Sequence, residues 1–263
     1  MPEVSPIIQS QILALQERFP GLGLHVRDDG YAVVAGMLGF NTSYGEYAIQ
    51  DEYLVKIVIP SDYPDTLPRA FEIGGKIPKD FHMMTDRSLC LGSPLEMALK
   101  FSETPSLLGF VERLLIPYLF SYACWEKFKV MPFGERAHGS AGILQSYQDL
   151  FGTSDIVATM NLLRMLADDS YLGHTLCPCN TGKKLRNCHG PTLLNLMQHR
   201  TTKQFLLDHS DLLLHCHATD PTLNLFELES VSGKKMRMKI KRSKELAANP
   251  RTSASKKSAK PGC

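Results

Sequence analysis

Three of the seven cysteines lie within residues 177–188: Cys177-Pro178-Cys179, eight further residues, and Cys188, followed at once by His189. Three thiolates and an imidazole are the donor set that tetrahedral zinc takes in closed structural sites. Four protein ligands leave no coordination place for water or substrate, so a zinc ion held here would fold a module rather than catalyse hydrolysis. Between the ligand pairs, Asn180-Thr181-Gly182-Lys183-Lys184 suits a tight turn, with Gly182 free to take positive φ and the lysines pointing outward. Cys216 stands between His215 and His217, but consecutive residues of a helix point to different sides and do not meet at one ion.

A second candidate for chemistry is Cys90, in Thr85-Asp86-Arg87-Ser88-Leu89-Cys90-Leu91-Gly92. Between two leucines a thiol is most simply a small buried hydrophobe. Loops carried by a rigid sheet are where chemistry is often placed, so a nucleophile is the other reading.

Ser5-Pro6 reads as an N-cap and first helical residue, and Ile8, Ile12, Leu15 and Phe19 continue at helical spacing until Pro20-Gly21. Strand patterns follow at 24–27, 31–38, 53–59 and 70–73, the middle pair separated by a Gly/Asn/Ser-rich connection at 39–45. With no helices between them, these strands should form an antiparallel meander. Pro60–Pro68 must leave the sheet, since its prolines remove donors. An irregular stretch is expected over 74–104. Thr104-Pro105 then opens a helix that Pro117 should bend or break, and further helices are expected at 142–151, 154–167 and within 192–217.

Charge divides the chain. Of 29 Lys/Arg and 27 Asp/Glu, eleven bases and one acid fall within residues 234–260, which leaves 18 against 26 elsewhere, a net of −8. A uniformly basic nucleic-acid-binding body is excluded, and any non-specific nucleic-acid contact belongs to residues 234–260, where apolar residues thin out and disorder is expected. The longest nearly apolar stretch, Leu114 to Trp125, is too short for a bilayer, so no membrane span is expected. The first residues lack the basic start and apolar run of a secretory signal, and an odd cysteine count favours free thiols and metal ligands over a disulfide framework. Both observations point to the cytosol.

The order of an N-terminal helix, a four-stranded meander, the Tyr63-Pro64-x-x-x-Pro68 loop, a segment ending Leu89-Cys90-Leu91, and then helices resembles the ubiquitin-conjugating enzymes over residues 4–150. The family's His-Pro-Asn tripeptide is absent, and His82 stands eight residues before the cysteine, where its asparagine would be. With Pro117-Tyr118-Leu119 and the block Pro132–Gly139, which includes Arg136 and His138, this is similar to the bacterial branch associated with antiphage operons. The Cys-x-Cys-x8-Cys-His pattern, with its Thr-Gly-Lys-Lys turn, likewise resembles the SEC-C zinc motif, a small interaction module.

These resemblances imply an α+β, ubiquitin-conjugating-enzyme-like fold over 1–152 and a SEC-C zinc knuckle over 176–191, while helical spacing and composition add a helical connector over 153–175, a helical extension over 192–232 and a disordered basic tail over 233–263. They imply that Cys90 receives an acyl group from a separate activating enzyme as a thioester and passes it to an amine, in antiviral defence. The cargo would be a ubiquitin-like modifier or the C-terminus of a nucleotidyltransferase. His82 would donate to the tetrahedral oxyanion or deprotonate the amine. Asp86 would ease the desolvation of an acceptor lysine or cap its turn. A cysteine hydrolase has no recognisable signature around Cys90. An inactive scaffold that grips partners through the knuckle and tail is the competing reading.

Overall fold

Helix α1 (Pro6–Arg18) begins as its first residues dictate: the Ser5 hydroxyl accepts the Ile8 amide at 3.4 Å and Pro6 fills the first turn, where its missing N–H costs nothing. Ile12 and Leu15 form its buried side. The computed structural model describes residues 5–26, 32–134, 137 and 139–223. The Asp28-Asp29-Gly30 connection, Arg136, His138 and the basic segment 234–260 therefore lie outside the described residues. The chain is α+β and divides into two units between Gly142 and Ile143.

In the first unit, β1 (Leu22–Val26), β2 (Ala32–Tyr44), β3 (Tyr47–Ile59) and β4 (Arg69–Glu72) form one antiparallel sheet in chain order. Register puts Val34 opposite Ile57 and Leu38 opposite Tyr53, all four buried against the helices. The connection expected at 39–45 is instead strand. Only Gly45 and Glu46 turn, and Gly45 has the positive φ, 57°, that a two-residue hairpin needs at its first central position. Asn41, Thr42 and Ser43 look like loop because that part of the ribbon is exposed, yet each is paired across to β3. The Pro60–Pro68 segment does leave the sheet, and the Tyr63 hydroxyl ties it to α1 by donating to Gln11 Oε1 at 2.7 Å.

Two helices depart from expectation. The stretch 74–104 is not wholly irregular, because it holds α2 (Pro94–Glu103), opened by a capping box: the Ser93 hydroxyl accepts the Glu96 amide, and Glu96 Oε2 accepts the Ser93 amide, both at 3.2 Å. Pro117 does not break α3 (Leu107–Phe128). Val111–Leu115 widen into π winding just ahead of it, and the Ile116 amide bonds back to the Val111 carbonyl, so the carbonyls that the ring would strike are displaced. At 22 residues α3 is long and apolar enough to cross a membrane, contrary to the shorter stretch expected from the sequence. It is also a core helix: Phe110, Val111, Leu115, Leu119 and Cys124 are wholly inaccessible, and 72% of its most apolar window is buried.

The second unit holds α5 (Ile156–Ala167), α6 (Gly190–His199), α7 (Thr202–Thr219) and, from Ile143 on, α4 (Gly139–Phe151). Asp155 caps α5 by accepting the Val157 and Ala158 amides, and Leu162, Leu163, Leu193, Phe205 and Leu212 make its core. Into that core the fold also places an ion pair, Arg200 with Asp208, each less than a tenth exposed. Tyr147 completes it, donating to Asp208 at 2.8 Å and accepting from Arg200 at 2.9 Å. Removing one partner strands a buried charge, so Asp208→Ala should cost about 3–5 kcal/mol in chemical denaturation. Replacing both charged residues together by apolar ones of similar volume should recover most of that loss.

Candidate functional site

Among the described residues, two groups of reactive side chains are assembled, one in each unit. In the first, residues 82–90 form a small hairpin. Met83 bridges Leu89, the Met84 amide donates to Ser88 at 2.8 Å, and the Cys90 amide donates to the His82 carbonyl at 2.9 Å. Cys90 and His82, eight residues apart in sequence, are thus opposite one another across the ladder. The Leu89 amide donates to Ala70 of β4 at 2.8 Å, fixing the hairpin to the sheet edge. Leu89 is buried, whereas Cys90 is only half-buried, so its thiol is neither sealed in the core nor fully in solvent.

Asp86 builds the hairpin tip. Its Oδ1 accepts the Ser88 amide at 3.0 Å and the Ser88 hydroxyl at 2.6 Å, and its Oδ2 meets Arg69 at 2.6 Å. The Ser88 hydrogen bonds, chiefly, and then Arg69, hold its carboxyl below the usual range. Of the two roles open to Asp86, the geometry displays the turn cap. Arg87 follows it with φ of 67°, and His82 has φ of 41°, a left-handed conformation that non-glycine residues adopt rarely and that clusters at functional sites.

The His82 ring lies edge-on to Phe81, their centroids 4.8 Å apart, and Phe81 packs in turn against Tyr118, Tyr122 and Trp125 of α3. The Tyr118 hydroxyl donates to the Phe81 carbonyl at 3.0 Å and to the His82 carbonyl at 3.3 Å. Nothing local in the sequence marks Tyr118 for this role, because its contact with His82 spans 36 residues. A separate cleft of about 840 Å³ in the same unit, lined by Arg18, Phe40, Asn41, Gln50, Asp51 and Glu112, includes none of these residues.

In the second unit, the Cys177 amide donates to Lys183 at 2.9 Å and Leu176 bridges Lys184, closing a hairpin. Its turn uses Asn180 and Gly182 at φ of 59° and 72°, as expected for Gly182. The short 3-10 turn Leu185–Asn187, anchored by the inaccessible Leu185, delivers Cys188 and His189 to the mouth of the hairpin. The three Sγ atoms and one imidazole nitrogen lie within 4.8 Å of one another. Cys179 and Cys188 Sγ are 3.4 Å apart, and His189 Nδ1 is 3.1 Å from Cys177 Sγ and 3.4 Å from Cys188 Sγ.

A tetrahedral ion with metal–sulfur bonds of about 2.3 Å has sulfur–sulfur edges of roughly 3.8 Å, so this donor set fits a metal. His189 Nε2 is 2.7 Å from the Phe151 carbonyl, and donating there leaves the Nδ1 lone pair facing the sulfurs. Burial pushes the Cys177 thiol up to about 11. At Cys179 burial acts the same way but is outweighed by hydrogen bonds from Thr181 and the neighbouring thiols, which lower it to about 6. Cys216, by contrast, is buried in α7 and belongs to no metal-binding group among the described residues.

The model of the SEC-C motif matches residues 175–191. Among curated proteins, none matches the chain.

Proposed function

We propose that the first unit is a cysteine-dependent acyl carrier of the ubiquitin-conjugating type. In this reading it takes a ubiquitin-like protein, or another protein's C-terminus, as a thioester on Cys90 and passes it to an amine in bacterial antiphage defence. The observation that carries the reading is Cys90 itself: a half-buried cysteine on a hairpin fastened to a sheet edge, with a conformationally strained histidine opposite. The helix, meander, Tyr63-Pro64 loop and cysteine segment occur in the order that the resemblance requires.

In the loading step, Cys90 Sγ attacks the carbonyl of a thioester on the activating enzyme. A C–S bond forms, and the tetrahedral intermediate expels the donor's thiolate. In discharge, an amine attacks the Cys90 thioester, the amide bond forms as the C–S bond breaks, the sulfur leaves as thiolate, and the amine's proton passes to a base or to water. Both steps place negative charge on the carbonyl oxygen, where a fixed donor is worth about 2.7–4 kcal/mol. His82 would supply that donor or take the amine's proton, while Asp86 keeps the tip of its hairpin in shape.

We infer that the metal of the second unit is zinc, held by Cys177, Cys179, Cys188 and His189. With four protein ligands its contribution is structural: it ties the 175–185 hairpin to the start of α6.

The test is to incubate the full chain with a C-terminal thioester of a ubiquitin-like protein and follow the mass of the chain. An adduct that thiol reagents reverse, present in the native protein and absent from Cys90→Ala, is expected. An adduct that persists in Cys90→Ala contradicts the reading and favours a scaffold.

A further inference from the structure

Tyr118 projects from α3 into the backbone that precedes the Cys90 hairpin, where its hydroxyl hydrogen is shared between the Phe81 and His82 carbonyls. The His82 carbonyl also accepts the Cys90 amide. One oxygen therefore joins three groups: the strained residue, the amide of the thiol-bearing residue, and a phenol rooted in the core helix. His82 needs such a restraint, because its φ of 41° is a conformation that a free chain would leave. Ring packing onto the same helix adds to this hold, Phe81 standing against Tyr118 with centroids 6.0 Å apart and against Tyr122 at 4.9 Å. Burial, and after it the charge of the nearby Cys90, push the Tyr118 phenol far above its ordinary value, so it stays protonated and able to donate.

We propose that Tyr118 is a positioning residue for the Cys90 centre. It fastens the Phe81–His82 backbone to α3 and so sets where the His82 imidazole stands relative to the sulfur across the ladder. This rests on the acyl-carrier reading. Tyr118 takes no part in bond making; it acts through His82.

Tyr118→Phe keeps the ring and deletes only the hydroxyl. Tyr122→Phe is the matched control from the same aromatic cluster, since its hydroxyl donates elsewhere, to the Lys76 carbonyl at 2.8 Å. In the uncharged full chain, NMR of labelled histidine rings and of the Cys90 amide should show both the His82 and Cys90 signals displaced in Tyr118→Phe and undisturbed in Tyr122→Phe. In the charged protein, Tyr118→Phe should lower the plateau rate of discharge onto free lysine about ten-fold, with the half-saturating lysine concentration unchanged. Tyr118→Phe combined with His82→Ala should discharge no more slowly than His82→Ala alone. Unmoved His82 and Cys90 signals in Tyr118→Phe, or losses that add in the double variant, overturn the proposal. If the signals move as stated but Cys90 of the native protein accepts no acyl group, the anchoring stands and the carrier reading falls.

Discussion

Replacing Cys90 by serine is expected to reduce acyl transfer by well over about a thousand-fold while leaving the fold intact. The side chain is half-buried on a hairpin secured by backbone hydrogen bonds, and exchanging sulfur for oxygen disturbs none of them. Serine loads slowly because a hydroxyl is scarcely ionised near neutrality. What does load is an oxyester, which resists thiol reagents and loses its acyl group to amines far less readily. Mass spectrometry should accordingly find a thiol-resistant adduct on Cys90→Ser, with an unaltered melting temperature. His82→Ala makes the complementary prediction. Loss of an oxyanion donor worth about 2.7–4 kcal/mol slows loading and discharge alike, by roughly 10²–10³, whereas loss of a base for the amine slows discharge alone and lets the thioester accumulate.

The second large effect concerns the metal. Chelation, or Cys188→Ser, should unfold residues 175–189 locally, because a structural zinc site of this donor type supplies about 10–16 kcal/mol of binding free energy that is also folding free energy. The hairpin offers little to replace it: Cys177 and Leu185 are buried, but Leu176, Lys183 and Lys184 are exposed. The packing of α5 on α7 depends on Leu163, Phe205 and Leu212 instead, so most helical signal should survive. Hydrogen exchange should therefore rise at 175–189 and stay slow in α5. The pH dependence has a definite sign. The proposed zinc would be held by thiolates and a neutral imidazole, so its binding releases protons, and protons compete more strongly as pH falls. Cys179, lowered to about 6, is the thiolate most easily kept, and below about that pH even it must be won from a proton. Cys177, pushed up to about 11, already takes a proton at neutral pH, so the stabilisation by the proposed zinc weakens progressively as pH falls, most steeply below about 6, together with a rise in free metal.

What was legible in the sequence was what local chemistry encodes. Cys177, Cys179, Cys188 and His189 lie within thirteen residues, and the turn between them carries Asn180 and Gly182, both residue types that take positive φ readily, so ligand set and turn are legible together. The meander followed from strands too close in sequence for helices to intervene. The polar, exposed tip of β2 and β3 hid its pairing because composition reports exposure rather than hydrogen bonding. The start of α2 is written plainly, in Ser93-Pro94-Leu95-Glu96, within a stretch whose other residues have no regular spacing. Passage of α3 through Pro117 needed a π turn, which no residue pattern announces. The remaining omissions are long-range: the Phe151 carbonyl behind His189, the Tyr147–Arg200–Asp208 cluster and the Tyr118 hydroxyl exist only once the chain has folded.

The most direct test is to isolate the full native chain from its cells and to determine by mass spectrometry what is attached to the peptide containing residue 90. The acyl-carrier account predicts a polypeptide C-terminus joined to the Cys90 sulfur and released by hydroxylamine. A residue 90 peptide recovered only as the free thiol, in cells where the substrate proteins are present, contradicts it.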